Sequence, residues 1–291
     1  MKDIIIIGAG PSGMTAAIYA LRANKSVLLI DFKGYGGQII NAKSVVNYPG
    51  IKEISGIDYA KTLYEQVTSF GGEFVFEKVK DIIDGDIKKV VTEKCEYECK
   101  SVIIATGTVN KGLGLENEDK FIGRGLSYCA TCDGNFYKDL DVAVVGSGEV
   151  ATDDAIYLSN ICNKVYLIIK GDEFKYLDKI SNIDNIEVVF NSSVTNINGE
   201  YKISAIEINN DKTIPVNGVF VAMGQTPENG NFRKFVDLDE NGYIKSLDCT
   251  TKVDGIFVAG DNRVKELRQL TTAVNDGAIA ATKACKYIDT L

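Results

Sequence analysis

Apolar positions in this chain fall in short solid runs that end in glycine, and such runs of β-branched residues predict strands buried on both faces. DIIIIG at 3–8 is the first, the helix-forming stretch MTAAIYALRA follows at 14–23, and SVLLID at 26–31 is the second. Together they predict a βαβ unit. The same order recurs at 141–169, where DVAVVGSG leads into EVATDDAIYLSNI and then KVYLII. SVIIATG at 101–107, VFVAMG at 219–224 and GIFVAGD at 255–261 each close a buried strand on a small-residue turn, and an Ala-rich helix is expected at roughly 269–288. Two βαβ units far apart in one chain predict an α/β protein of two doubly wound dinucleotide-binding-like domains. In the simplest topology the second domain (111–239) interrupts the first (1–110 and 240–291).

Composition narrows the chemistry. A chain of 291 residues with 45% hydrophobic content is ample for two packed cores. A net charge of −8, with Lys and Arg scattered among acids, argues against nucleic acid as a partner. No stretch approaches the ~20 apolar residues of a membrane helix, and the four Ile near the start are too few for a signal peptide, so a cytoplasmic protein is expected. The absence of His removes Ser-His and Cys-His catalysis and leaves proton transfer to Asp, Glu, Tyr, Lys or Cys.

GAGPSG at 8–13 fits G-x-G-x-x-G directly between a strand and a helix. Gly8 permits the tight turn, Gly10 lets backbone approach a pyrophosphate, and Gly13 lets helix and strand pack closely, with the helix N-terminus facing the phosphates. Asp31, ending the second strand, is placed to accept ribose hydroxyls. That turn does not decide between FAD and NAD. GGQ at 36–38, NYPG at 47–50, ATG at 105–107 and AGD at 259–261 favour FAD, although Asp261 at a strand end is also a plain capping residue.

Five of the seven Cys are dispersed, as expected of reduced thiols, whereas Cys129 and Cys132 stand in C-x-x-C spacing within SYCATCDGNFY. On a helical turn the two sulfurs come within bonding reach, and a helix N-terminus favours the thiolate. Metal binding is the competing reading. It needs a second pair, and Cys95 and Cys99 lie in a charged stretch that reads as a hairpin. Asp133, next to Cys132, either begins a helix or supplies the proton for a thiolate leaving group.

GAGPSG, GGQ, NYPG, ATG, CATCDG, GQTPE, AGD and RQ followed by GAIAA, in this order and spacing, resemble the low-molecular-weight thioredoxin reductase family across essentially the whole chain. The resemblance implies a homodimer whose split domain binds FAD and whose central domain carries a redox disulfide that reduces thioredoxin. It implies that Cys132 faces the flavin, Cys129 attacks the thioredoxin disulfide, Asp133 is the acid and Arg124 helps dock thioredoxin. The flavin-contacting positions it implies are Gly8, Gly10, Pro11, Ser12, Gly13, Asp31, Gly37, Gln38, Asn47, Thr106, Gly107, Gly260, Asp261, Arg268, Gln269 and Leu270. Gln269 and Leu270 are expected against the isoalloxazine ring.

One stretch departs from the family. Its nucleotide-binding strand ends in an Arg cluster, whereas LIIKGDEFK at 167–175 offers Lys170, Gly171 and Lys175. Each lost charge-assisted bond to a 2′-phosphate removes ~1.5–3 kcal/mol. The expectation drawn is that NADPH is not used and that reduced ferredoxin supplies the electrons, as in the ferredoxin-dependent flavin thioredoxin reductases. NADPH or NADH as donor, and a flavin-binding redox sensor without turnover, are the alternatives.

Overall fold

The computed structural model describes every residue from Met1 to Leu291 and divides into two units. The first comprises Met1–Val109 and Thr226–Leu291, the second Asn110–Gln225.

In the first unit the solid apolar runs become the centre of a seven-stranded sheet. Lys2–Ile7 pairs in parallel with Val27–Ile30 on one side and with the second half of Glu96–Ile104 on the other. Glu73–Val75 and Ile256–Val258 extend the parallel part. The first half of Glu96–Ile104 instead pairs antiparallel with Lys88–Thr92, which pairs with Val79–Ile83. Ile4, Ile5 and Ile6 are fully buried because both faces of the sheet are covered. On one face lie the helix Pro11–Arg22 and the C-terminal helix Leu270–Ile288, whose small residues, Ala16, Ala17, Ala20, Ala280, Ala281 and Ala284, let the two backbones approach.

The other face explains a difference in the domain boundary. The sequence reading placed the return to the first domain at 240, but the chain re-enters this unit at Thr226. Phe232, Phe235 and Val236 are buried against Ile5, Ile7, Leu28 and Ile30. Burial of one such side chain stabilises by about 1.5–3 kcal/mol, which ties the segment to the first core. Because these residues sit in a 3-10 turn and irregular chain, they show no periodicity that sequence reading detects.

The second unit has a five-stranded parallel sheet in the order Ile186–Val189, Lys164–Ile168, Asp141–Val145, Gly218–Val221, Leu126–Ser127. The helix Glu149–Ser159 crosses between Asp141–Val145 and Lys164–Ile168, completing the second βαβ unit. A three-stranded antiparallel sheet, Val194–Asn198, Ala205–Ile208 and Lys212–Pro215, closes one side of its core. No helix of either unit is long and apolar enough to cross a membrane.

Candidate functional site

In the second unit Cys129 and Cys132 are joined as a disulfide, their Cα atoms 5.3 Å apart. The chain can close this bridge because Cys129 is extended and the next residues, Ala130–Asp133, form one helical turn. Asp133 N–H donates to the Cys129 carbonyl at 3.1 Å. Ser127, buried at the end of its strand, wires the pair to the acid: its hydroxyl donates to Asp133 Oδ2 at 2.6 Å and accepts from Cys129 N–H at 3.0 Å. Thr131, whose hydroxyl lies 3.4 Å from Cys129 Sγ, is the donor in that contact, since a disulfide sulfur carries no hydrogen. Arg124, on the same stretch of chain, is exposed. The sequence reading missed Ser127, although it stands inside the quoted motif. Its role depends on a hydroxyl position that spacing does not reveal.

The remaining cysteines are separate from this pair. Cys95 is exposed at the turn of the Lys88–Thr92 and Glu96–Ile104 hairpin, and Cys99 is fully buried in its second strand. Burial pushes the Cys99 thiol up to about 12, so it is inert as a thiolate.

In the first unit the glycine turn is built as its spacing predicts. Gly8 has φ +108°, and a side chain there meets the Ala105 carbonyl oxygen at 2.2 Å. A Cβ on Gly13 meets the Gly8 carbonyl oxygen at 1.9 Å, so helix and turn close only on glycine. Gly10 is the N-cap and Pro11 the first residue of the helix Pro11–Arg22. Asp31 accepts from Ala9 N–H through Oδ2 and from Lys33 N–H through Oδ1, both at 2.9 Å, which fixes its carboxylate beside the turn. Gly36 N–H donates to the Ala9 carbonyl, and a Cβ on Gly37 meets Gly10 Cα at 3.1 Å; the GGQ loop thus lies against the glycine turn, backbone on backbone.

The other flavin-assigned residues gather in the same unit. Gln38 Nε2 donates to the Thr108 carbonyl, just past Gly107 in the ATG turn. Asn47 Nδ2 donates to Gln269 Oε1, linking the NYPG loop to the N-cap of the C-terminal helix, whose first residue is Leu270. Arg268 donates from Nε to the Asp261 carbonyl and stacks over the Tyr243 ring at 4.1 Å. Thr106 accepts from the fully buried Asn262 and donates to Asn229, a polar network that joins the ATG and AGD turns and that the sequence reading did not identify.

These residues fit a dinucleotide. Ser12 Oγ, in the first turn of the helix, and Asp261 Oδ1 are buried with no hydrogen-bond partner in the protein. A buried polar atom without a partner costs about 1–3 kcal/mol, so a bound dinucleotide, which carries both phosphate oxygens and sugar hydroxyls, would satisfy two atoms the fold leaves unpaired. Burial, ahead of its charged neighbours, pushes the Asp261 carboxyl up.

The second unit carries a comparable frame. Gly148 caps the helix Glu149–Ser159, and residues 147–150 are exposed at its N-terminus. Lys170 and Lys175 are exposed beyond the strand Lys164–Ile168, and Lys179 pairs with Glu149 at 3.1 Å.

A family model described as pyridine nucleotide-disulphide oxidoreductase matches residues 2–277. A thioredoxin reductase of Peptoclostridium acidaminophilum is 38% identical over 305 residues, covering 99% of this chain and 97% of the relative. That of Bacillus subtilis strain 168 is 38% identical over 301 residues, covering 99% and 95%. The crystal structure of thioredoxin reductase from Streptococcus pyogenes MGAS5005 superposes with a TM-score of 0.95 at 39% identity, over 100% of this chain and 99% of that one.

These findings overturn the expectation that NADPH is not used. The matched span, residues 2–277, includes the central unit, and thioredoxin reductases covered over 95% or more of their length are this chain's relatives. The expectation gave the missing arginines more weight than Lys170 and Lys175, which stay exposed beyond the strand. The chain belongs to the pyridine nucleotide-disulphide oxidoreductases, within their thioredoxin reductase family.

Proposed function

We propose that this protein is an FAD-containing, NADPH-dependent thioredoxin reductase acting as a homodimer. The observation that carries the reading is the Cys129–Cys132 disulfide wired through Ser127 to Asp133; the glycine turn and the unpaired Ser12 Oγ and Asp261 Oδ1 in the first unit support a flavin beside it. The full-length likeness to thioredoxin reductases favours NADPH over ferredoxin as donor.

FAD, when bound, supplies a two-electron relay between a nicotinamide and a disulfide. Gly8, Gly10 and Gly13 give its pyrophosphate access to the N-terminus of the helix Pro11–Arg22, with Ser12 as a hydroxyl donor. Asp31 takes the adenosine ribose and Asp261 the ribityl chain. Gln38, Asn47, Gln269 and Leu270 border the ring system. In the second unit Lys170 and Lys175 attract the 2′-phosphate.

At the disulfide, an electron pair arriving at Cys132 breaks the S–S bond and leaves both sulfurs reduced. One proton is delivered by Asp133, whose carboxyl is recharged from solvent. Cys129 then attacks the thioredoxin disulfide to form a mixed disulfide, and Cys132 displaces reduced thioredoxin and restores the bridge. Ser127 holds Asp133 in place while Cys129 reacts. Arg124, exposed on this loop, docks thioredoxin.

Steady-state assay of the FAD-loaded protein with NADPH and thioredoxin tests the reading. Many thioredoxins reduced per enzyme is the expected result. A single stoichiometric reduction, without turnover, would instead support a redox sensor.

A further inference from the structure

A buried ion network sits behind the AGD turn, and of its charged members only Asp261 is assigned to the cofactor. Asp276, a lone acid in the Ala-rich C-terminal helix, is 5% exposed. Its Oδ2 accepts from Gly260 N–H at 3.1 Å and pairs with Arg263 at 2.9 Å and Lys265 at 2.7 Å. Arg263 is further fixed by the Ser246 carbonyl and Cys249 Sγ. The neighbouring Gly277 lies so close to the first helix that a Cβ there meets the Ser12 carbonyl oxygen at 2.2 Å, and a Cβ on Gly260 meets the Ser12 side chain at 3.0 Å. Asp276 and Gly277 therefore position both Gly260 and Ser12.

The two cations need a counter-charge, and the two acids near Lys265 compete for it. Lys265 Nζ pairs with Asp276 at 2.7 Å and only loosely with Asp261 Oδ1, at 3.8 Å, an oxygen that makes no hydrogen bond in the protein. We propose that Asp276 is a positioning residue for the flavin: it holds Lys265 away from Asp261, keeping that carboxylate open to the cofactor, while fixing the Gly260 N–H that sets the turn. Without the Asp276 charge, Lys265 is a buried cation whose nearest remaining acid is Asp261. Lys265 then closes onto Asp261 and takes the acceptor that a flavin hydroxyl uses.

The proposal rests on the reading that this unit binds FAD, and titration of apoprotein with FAD separates the two. Wild type that binds no FAD sinks that reading itself. With wild type binding, D276N is expected to raise the FAD dissociation constant on the order of tenfold or more, and K265M/D276N to recover most of the loss, because the competing cation is gone. A residue that merely holds the fold together gives no such recovery. Wild-type affinity in D276N, or a double variant as weak as D276N, overturns the proposal. K265M alone supplies an arm that does not depend on D276N folding: it is expected to bind FAD within about twofold of wild type, and a tenfold loss would show Lys265 to be a ligand of FAD rather than a competitor for Asp261.

Discussion

Cys129 and Cys132 do different work in the proposed cycle, and single substitutions separate them. Cys132→Ser is expected to stop electron flow from flavin to protein sulfur, seen as reduced flavin that thioredoxin does not reoxidise. Cys129→Ser keeps one thiol at Cys132 but abolishes turnover of thioredoxin, with no mixed disulfide trapped by denaturing gel. Equal thioredoxin reduction by both variants contradicts the roles. Ser127→Ala is expected to lower turnover by about tenfold while leaving the disulfide intact, since its hydroxyl joins Asp133 to the Cys129 backbone; a turnover number equal to wild type removes Ser127 from the mechanism. At this scale the sequence speaks where chemistry is carried by neighbours in the chain. The C-x-x-C pair and GAGPSG are legible because spacing alone brings their atoms together. Asp276 and Asn262 are not, because their partners, Gly260 and Arg263 for the one and Ile104 and Thr106 for the other, meet them only after folding.

Elements impose their own limits. Gly13→Ala puts a methyl group 1.9 Å from the Gly8 carbonyl oxygen, so the first helix must shift off its strand; a loss of about 1–3 kcal/mol is expected, together with loss of FAD binding, checked by denaturant unfolding and flavin fluorescence. The first strand is tied at Asp3, which accepts from Ser26 N–H and Oγ and pairs with Lys100 at 2.7 Å. Burial raises that carboxyl, but its bonds to Lys100 and Ser26 outweigh it and bring the pKa down to about 2. A depressed folded-state pKa means stability that is present above the unfolded value of about 3.9 and lost as pH falls toward 2. Asp3→Asn should therefore flatten the acid limb of the unfolding curve between those values, and an unchanged acid limb counts against the Asp3 bonds. Strands made of solid apolar runs were legible because burial on both faces leaves a continuous pattern. The turn that buries Phe232 was not, since irregular chain has no period and its partners lie in distant strands.

For the whole molecule, the order of the motifs carries the family, while the exclusion of NADPH, drawn from one strand end, does not hold. A missing Arg cluster speaks for a few side chains at one strand end, whereas the family likeness spans residues 2–277 and the sheet and helix of the second βαβ unit are intact. Lysine holds a 2′-phosphate as a point charge rather than through a fork, so NADPH binding is expected to be salt-sensitive. Lys170→Ala with Lys175→Ala should raise the NADPH dissociation constant on the order of tenfold and leave NADH unchanged, measured by titration at low salt. Anaerobic rapid mixing of the oxidised, FAD-loaded protein with NADPH, NADH or reduced ferredoxin, with flavin absorbance followed, identifies the donor. Rapid bleaching by NADPH, followed by thioredoxin-dependent recovery of the absorbance, is expected; bleaching by reduced ferredoxin with none by NADPH would rule out NADPH as the donor.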